Sequence, residues 1–492
     1  MPAPSIIQGK KHFQSFVYEG NGGGQRVGTF IPFTDNGTID KSVLMDKGSS
    51  PRLSRTPSSA GNRKTWTLSL WVKRTLLASP RHMILTQSNS AGNAGDFFFF
   101  DTNNTLKFTD DDSGDYNLVT NRTFEDTSKF YHIVLAVDTT QSTAADRVKL
   151  YIDGDQITSF GTSSYPAQDY TFQINNNSHP VNLFSDYGSS GSEYSDGYIA
   201  EVNLVDGTAL TPSTFGLTDT STGRWIPKSL TGITYGTNGF RMQFANSAGQ
   251  TIGDDTSGQG NDYAVTNIAT TDITTDSPTQ NFATISPNFS GTLGFDEGNL
   301  KITQTQSNDY QTAYVGKSVS SGKWYFEITA TTVPAFFLIG LTSMSGYVNA
   351  KTTYVGDNAG SYGFQFYPGN NDTLYYDGSN VSYGSESSLS NGNIIGVAYD
   401  ADTGAYWLAV NNSWIQSGNP TNGTNPLFTF KVGTGNLYRR EEVMFGTSTY
   451  NGGVFDYNFG QRSLSYTPPT GFSLLQQDNF PDEGVKPDIV WI

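Results

Sequence analysis

Residues 147–157 read R-V-K-L-Y-I-D-G-D-Q-I, and this stretch decides the fold. Val148, Leu150 and Ile152 recur at every second position, which is the period of a β-strand with one buried face. Asp153-Gly154 follows where such a strand must reverse, because glycine accepts the positive φ that a tight hairpin turn requires. The stretch therefore predicts an antiparallel β-hairpin.

The same alternation extends over much of the chain. It predicts strands at residues 66–72, 131–137, 324–328, 394–399 and 406–410. Asn411-Asn412 is a second predicted hairpin turn. No coiled-coil heptads and no capped helical stretches stand out. We therefore predict an all-β protein with two antiparallel β-sandwich domains in series and an extended N-terminal arm.

Composition limits the partners of the 492-residue chain. Its formal net charge of -16 disfavours binding to nucleic acid. The same charge argues against a basic patch that would bind a membrane surface. Cysteine is absent, so no disulfides or thiolate metal sites form. The first residues lack the apolar core of a signal peptide, and the longest apolar runs are too short to span a bilayer. We expect a protein assembled in a reducing cytosol, with no membrane insertion.

Changes in composition along the chain predict five regions. They are an N-terminal arm (1–49), a first sandwich (50–221), a connector rich in Gly, Ser, Thr and Asp (222–290), a second sandwich (291–475) and a C-terminal segment (476–492). The abrupt apolar ending at Ile492 is unusual for a natural terminus, so truncation of the C-terminal segment stays open.

The arm combines a glycine run at residues 20–24 with aromatic residues such as Phe13, Phe16 and Tyr18. The glycines are costly to order, whereas the aromatic side chains favour burial. A frayed terminus is the simple interpretation. An arm that docks on another surface explains both features, so we expect it to attach to a partner protein or to make oligomer contacts.

Two family resemblances follow from sequence segments. WTLSLWVKR, FYHIVLAVD, RVKLYIDGDQI and GYIAEVNLVDGTALTPSTFG resemble a laminin-G-like domain of the concanavalin-A-like superfamily, over about residues 50–220. SGKWYFEIT, FLIGLTS, GSYGFQFYPG, GNIIGVAYDADTGAYWLAVNNSWI and VFDYNFGQR resemble SPRY domains, over about residues 291–472. The resemblances imply a concanavalin-like jelly roll followed by a SPRY-like sandwich.

A third resemblance concerns biology. FIPFTDNGTIDKSVLMDKGSSPRLSRTPSSAGNRKTWTLSLWVKR and DSPTQNF resemble segments of tail-fibre and other virion proteins of marine tailed phages. The resemblance implies a protein that is assembled in the host cytoplasm and exposed on a virion, where its arm attaches to other virion proteins. It also implies binding to a glycan or protein of the host surface. Fibres of this kind imply a homotrimer, with many weak sites acting through avidity.

The sequence predicts no enzyme and no catalytic residues. Laminarinase-type relatives carry an E-x-D-x-x-E motif that places two carboxylates across a glycosidic bond, and none of the ten glutamates here is followed by x-Asp. No nucleophile elbow or phosphate loop is present. The histidines are His12, His82, His132 and His179, without metal-ligand spacing. A catalytic pair of carboxylates contributed by distant strands remains an open alternative, and with it a polysaccharide depolymerase. A purely architectural spacer is the other alternative.

Two further groups of residues are candidates for ligand binding. Asp110, Asp111, Asp112 and Asp115 resemble the calcium-binding loop rim of laminin-G-like domains, although a solvated turn explains them equally. We predict no cofactor and no metal site, with calcium at this loop as the exception to test. Among the tryptophans, which could stack on sugars, Trp414 is the best candidate for exposure because it follows a turn.

Overall fold

The computed structural model describes residues 37–77, 81–88, 95–110, 114–186, 193–220, 222–244, 249–288, 290–306, 308–343, 353–384, 388–430 and 442–476. The glycine-rich part of the arm, residues 1–36, and residues 477–492 lie outside the described residues. The described chain contains one α-helix, α1 (Ala144–Arg147), and short 3₁₀ turns at Lys47–Ser49, Pro212–Thr214, Thr270–Asp272 and Ile415–Ser417. None of its helices is long and apolar enough to cross a membrane. The all-β prediction is confirmed.

The first sandwich packs two large sheets. Its strands are β1 (Ser42–Met45), β2 (Arg52–Arg55), β3 (Thr65–Arg74), β4 (His82–Ser88), β5 (Gly95–Phe100), β6 (Thr105–Thr109), β7 (Asn117–Thr123), β8 (Tyr131–Asp138), β9 (Val148–Ile152), β10 (Asp155–Gln156), β11 (Phe160–Ser164), β12 (Val181–Leu183), β13 (Gly197–Asp206), β14 (Gly216–Thr218), β15 (Trp225–Pro227), β16 (Phe240–Met242), β17 (Ala264–Thr266) and β18 (Ile273–Thr274). One sheet has the order β10-β9-β8-β3-β13-β1-β18, with β16 also on β13, and the other has β11-β7-β6-β5-β4-β12-β2-β17. The β14–β15 ribbon is separate.

The second sandwich repeats this architecture. Its strands are β19 (Ile285–Ser286), β20 (Gly294–Asp296), β21 (Lys301–Thr303), β22 (Tyr310–Val319), β23 (Lys323–Thr332), β24 (Phe336–Ser343), β25 (Ser361–Phe366), β26 (Asp372–Tyr376), β27 (Ser379–Gly384), β28 (Ile394–Asp400), β29 (Ala405–Val410), β30 (Ser413–Trp414), β31 (Phe428–Thr429), β32 (Val443–Tyr450), β33 (Val454–Asn458) and β34 (Ser473–Leu474). One sheet has the order β19-β22-β32-β24-β25-β26-β27. The other has β20-β21-β33-β23-β28-β29-β30, and β34 joins it as a parallel partner of β23.

Both predicted hairpin turns are present. Asp153 and Gly154 have φ of 52° and 90° between β9 and β10, and Asn411 and Asn412 have φ of 47° and 66° between β29 and β30. Left-handed backbone at both central positions is what a right-twisted two-residue hairpin requires. At Gly154 a Cβ would also lie 2.6 Å from the Trp225 ring, so glycine is required for space as well as for φ.

The domain boundaries of the structure differ from those expected from composition. Strand β1 falls within the predicted arm, yet it lies between β13 and β18, with Val43 and Met45 in the core. The predicted connector, residues 222–290, supplies β16, β17 and β18 to the first sandwich and β19 to the second. The physical reason is burial, because Phe240, Met242 and Phe244 fill the first core despite their polar surroundings in sequence.

Candidate functional site

Six aromatic side chains gather on the outer face of one sheet of the second sandwich. This tyrosine face consists of Tyr310, Phe336, Tyr354, Tyr367, Tyr375 and Tyr450, and each side chain is half-buried. Strand alternation explains their direction, since Ala313 and Val315 of β22 point into the core and Tyr310 therefore points outward. A half-buried aromatic ring keeps an accessible edge or face that a ligand can contact.

Strand register brings the rings together. Tyr450 on β32 lies directly opposite Tyr310 on β22 and Phe336 on β24. The Tyr450 ring centroid is 4.8 Å from that of Tyr310 and 5.3 Å from that of Phe336. Tyr367, which follows β25, lies 4.6 Å from Phe336. Cross-strand aromatic pairs of this kind hold one another in place.

The segment before β25 extends the cluster. Val355 packs on Tyr314 and Met444, and its N–H donates to Ser448 Oγ at 3.0 Å. This anchor sets the neighbouring Tyr354 ring 4.8 Å from Tyr310 and 5.1 Å from Tyr375. The six rings thus form one continuous path across the sheet, with steps comparable to the length of a pyranose residue.

Neutral polar groups accompany the rings. The buried Gln365 amide bonds the Tyr310 hydroxyl. Burial, and to a smaller extent the negative charge of Asp357, raises the pKa of Tyr354 to about 12. Burial also raises the pKa of Tyr375. Burial also raises the pKa of Tyr310. These hydroxyls stay protonated at neutral pH, so each can both donate and accept a hydrogen bond.

Cations are engaged elsewhere in the part of this sandwich that the structure describes. Lys301 and Arg462 pair with Glu297, and Lys323 pairs with Asp400 at 3.4 Å. Lys317 donates to the backbone carbonyl of Asn281, in the segment between the sandwiches. The carboxylate of Asp309 is next to Tyr310 in sequence and that of Asp357 interacts with Tyr354, so negative charge borders the described part of the tyrosine face and disfavours an anionic ligand.

The predicted tryptophan platform lies mostly in the interior. Trp66, Trp71, Trp324 and Trp407 are buried. Trp414 is half-buried and packs on the cluster that contains Tyr325 and Trp407. Trp225 is also half-buried, and Trp491 lies outside the described residues. Among the described residues, four tryptophans are thus buried and two, Trp225 and Trp414, are half-buried.

His132 has the structural role expected from its strand. Its Nδ1 accepts from Trp225 Nε1 at 3.0 Å, and its Nε2 therefore carries the proton shared with Ser69 Oγ, also at 3.0 Å. The ring stacks between Trp71, at 4.6 Å, and Trp225, at 5.9 Å. Burial lowers the pKa of His132 to about 3, so the imidazole is neutral. The contacts between His132 and Trp225 therefore hold the β14–β15 ribbon against the sheet.

The acidic loop is only partly described. Asp110 is buried, and its Oδ2 accepts the Asp115 N–H at 2.8 Å, while Asp111 and Asp112 lie outside the described residues. Nowhere in the described ranges do three or more His, Asp or Glu side chains form a group able to hold a metal ion. The calcium prediction and the prediction of no enzymatic activity stay predictions.

Comparison with known proteins supports the first sandwich. Residues 48–214 match the family model of the concanavalin A-like lectin/glucanases superfamily. The chain therefore carries a concanavalin-like sandwich, which is followed by a second antiparallel sandwich. No curated protein matches the chain significantly.

Similar solved structures share the fold at low identity. The TRIM65 PSpry domain is 14% identical, with a TM-score of 0.26, and covers 36% of this chain and 91% of its own. The SPRY domain of human HERC1 is 12% identical, with a TM-score of 0.26, and covers 36% and 99%. A heptameric SAP-like pentraxin from Limulus polyphemus is 14% identical, with a TM-score of 0.27, and covers 35% and 78%.

Proposed function

We propose that this protein binds an uncharged glycan of a host cell surface through the tyrosine face, as a fibre-type protein exposed on a tailed-phage particle. The observation that carries the proposal is the continuous path of six half-buried aromatic rings on a rigid sheet. Pyranose rings present C–H groups that pack on aromatic faces, and their hydroxyls bond neutral donors and acceptors such as the tyrosine hydroxyls. The protein's net charge of -16 further disfavours an anionic polymer.

The virion setting rests on sequence resemblance to phage tail-fibre segments, and the fold is compatible with it. Two antiparallel sandwiches give rigid supports with recognition surfaces, and repeated copies in an expected trimer multiply weak binding. A polysaccharide depolymerase and an architectural spacer are the competing functions. They differ from the proposal in measurable ways, since the first releases reducing sugar and the second does not adsorb to cells.

The proposal is tested with the double variant Tyr310→Ala/Tyr450→Ala. Loss of a stacked aromatic costs about 1–3 kcal/mol for nucleobase ligands, and we expect a similar loss per ring here. Binding of the purified protein to host cells and to isolated surface polysaccharide should fall at least tenfold. The matched control is Tyr151→Ala, which removes a half-buried tyrosine from β9 of the other sandwich. That variant should bind like the wild type.

The alternatives give distinct results in the same assay. Unchanged adsorption by the double variant would contradict a role for the tyrosine face. Adsorption that disappears after protease treatment of the cells would identify a protein receptor and refute the glycan. Release of reducing sugar would establish the depolymerase instead.

Attachment of the arm is a separate prediction. Because β1 belongs to the first sandwich, the truncation that tests it removes residues 1–36 and leaves Ser42–Met45 in place. We expect the truncated protein to melt at the temperature of the full chain but to be missing from assembled particles. Incorporation at normal copy number would show that residues 1–36 do not attach the protein.

A further inference from the structure

Lys73 is fully buried at the junction of the two sandwiches. Its side chain, on β3, has 0% exposure and donates to three oxygens of one short segment. These are Asp276 Oδ2 at 2.8 Å, Asn281 Oδ1 at 3.0 Å and Phe282 O at 2.8 Å. The rings of Phe130 and Tyr198 lie 5.7 and 5.4 Å from its Nζ. A primary amine, a carboxyl group and a carboxamide are thus enclosed together among aromatic rings.

The carboxamide is held in one orientation. Asn281 Nδ2 donates to Ser128 O at 2.9 Å, which leaves Oδ1 directed at Lys73. Because Oδ1 is about 1.2 Å from Cγ, the Lys73 Nζ lies no more than about 4.2 Å from that carbon. Reacting atoms in productive complexes are about 3–3.5 Å apart, so a small shift brings nitrogen and carbon into reach.

The carboxyl group is held equally firmly. Asp276 Oδ1 accepts the Phe282 N–H at 3.2 Å, and its backbone carbonyl accepts Ser42 Oγ at 2.5 Å. Burial lowers the pKa of Lys73 and raises the pKa of Asp276. The attraction between the ammonium and the carboxylate acts against both shifts but does not cancel them. In such surroundings a proton passes readily from the ammonium to the carboxylate, leaving the neutral amine that acts as a nucleophile.

We propose that Lys73 and Asn281 form an intramolecular isopeptide bond, with Asp276 as the acid–base group. The Nζ lone pair attacks Cγ of Asn281, and a new C–N bond forms. Asp276 takes the first proton from the ammonium before the attack and passes it to the departing Nδ2. After the attack it takes the second proton that Nζ loses, and this proton stays on Asp276 or leaves with the ammonia as ammonium. The old C–N bond then breaks and releases one ammonia. Atoms balance, nothing is oxidised or reduced, and no cofactor is consumed.

The bond has a mechanical consequence. It joins β3 of the first sandwich to the segment that leads into β19 of the second, and it encloses residues 73–281 in a covalent loop. Tension between the chain before Lys73 and the second sandwich would pass through the bond without unravelling β4 to β18. A cross-link over so long a loop also restricts the unfolded chain strongly. This inference does not depend on the glycan-binding proposal.

The test is the intact mass of the denatured full-length protein. We expect the wild type to be lighter than its sequence by one ammonia, and fragmentation should show a branched peptide joining Lys73 to Asn281. Lys73→Arg and Asn281→Ala should each restore the full mass and slow migration on denaturing gels. The matched control, Lys323→Arg, changes a lysine that pairs with Asp400 at 3.4 Å and should keep the mass loss.

The wild-type measurement decides the matter even where a variant fails to fold. Folded wild-type protein at its full sequence mass would overturn the proposal. A loss of one water, mapped to Asp276, would show the carboxyl group as the electrophile and refute the role of Asn281. A branch at Lys317, which contacts the Asn281 carbonyl at 2.6 Å, would likewise refute Lys73.

Discussion

The Asp206→Ala protein is expected to lose at least about 3 kcal/mol of the free energy of unfolding of its first sandwich. Asp206 ends β13 and is buried, and its carboxylate accepts hydrogen bonds from three separate parts of the chain. They are Asn62 N at 2.7 Å, Asn238 N at 2.9 Å and Asn175 Nδ2 at 3.3 Å. Hydrogen bonds to a charged acceptor contribute more to stability than those to a neutral acceptor. The alanine substitution removes the carboxylate from all three donors.

Unfolding of the Asp206→Ala variant should begin where the predicted connector joins the first sandwich. Asn238 precedes β16, whose Phe240 and Met242 are buried in the first core. We expect amide hydrogen exchange around residues 238–242 to accelerate in the variant before the rest of the sandwich opens. Chemical denaturation monitored by fluorescence gives the free energy, and exchange gives its location.

A matched substitution separates this effect from the loss of any carboxylate. Asp169 pairs with Lys64 at 3.1 Å on the surface, where both side chains are well exposed. Exposed ion pairs contribute about 0–1 kcal/mol, and asparagine accepts the φ of 63° at this position, so Asp169→Asn should leave stability nearly unchanged. Equal losses for the two variants would contradict the role of Asp206 as a link between three segments.

Local signals in the sequence were sufficient for the strands and turns. The alternation of Leu68 and Leu70, and the turn pairs Asp153-Gly154 and Asn411-Asn412, act within a few residues, so the sequence displays them directly. Phe240, Met242 and Phe244 alternate like a strand, but they stand in a region rich in Gly, Ser, Thr and Asp, so the sequence predicts a strand-like piece of a connector rather than a strand of the first sandwich. The place of β16 is decided by pairing with β13, about 40 residues earlier in the chain.

The candidate sites depend still more on long-range register. Tyr310 and Tyr450 are 140 residues apart, and only the pairing of β22 with β32 makes them neighbours. Alternation on β22 gives a partial signal, since Tyr310 falls on the face opposite Ala313. The contact between Lys73 and Asn281 spans 208 residues, and no short motif announces it. Sequence patterns thus predicted strands that carry residues of these sites, but they did not predict which residues from distant strands come together.

Acid is expected to weaken the contribution of His132 to the first sandwich. Trp225 Nε1–H can only donate, so protonation of His132 Nδ1 breaks that bond and places a charge between two stacked rings. The folded pKa, about 3, lies below the unfolded value of about 6.5. Below pH 6.5 the unfolded chain therefore takes up a proton that the folded protein refuses, and stability falls as the pH falls.

The magnitude follows from the linkage between proton uptake and folding. Each pH unit below 6.5 removes about 1.4 kcal/mol, so the step from pH 7 to pH 5 removes about 2 kcal/mol. Other buried groups also titrate here. His82, with its pKa lowered to about 3 by burial, acts in the same direction, whereas Asp96, raised to about 7 by burial, acts in the opposite one. The contribution of His132 must therefore be measured as a difference between two proteins.

The comparison is between the wild type and His132→Gln. The stability advantage of the wild type in the first sandwich should be about 2 kcal/mol smaller at pH 5 than at pH 7, because only the wild type has an imidazole at position 132 to charge. The second sandwich is the internal control, since residues 291–475 contain no histidine and its unfolding should respond to pH identically in both proteins. An advantage that does not change with pH would mean that His132 does not have the depressed pKa on which the stacked, neutral arrangement depends.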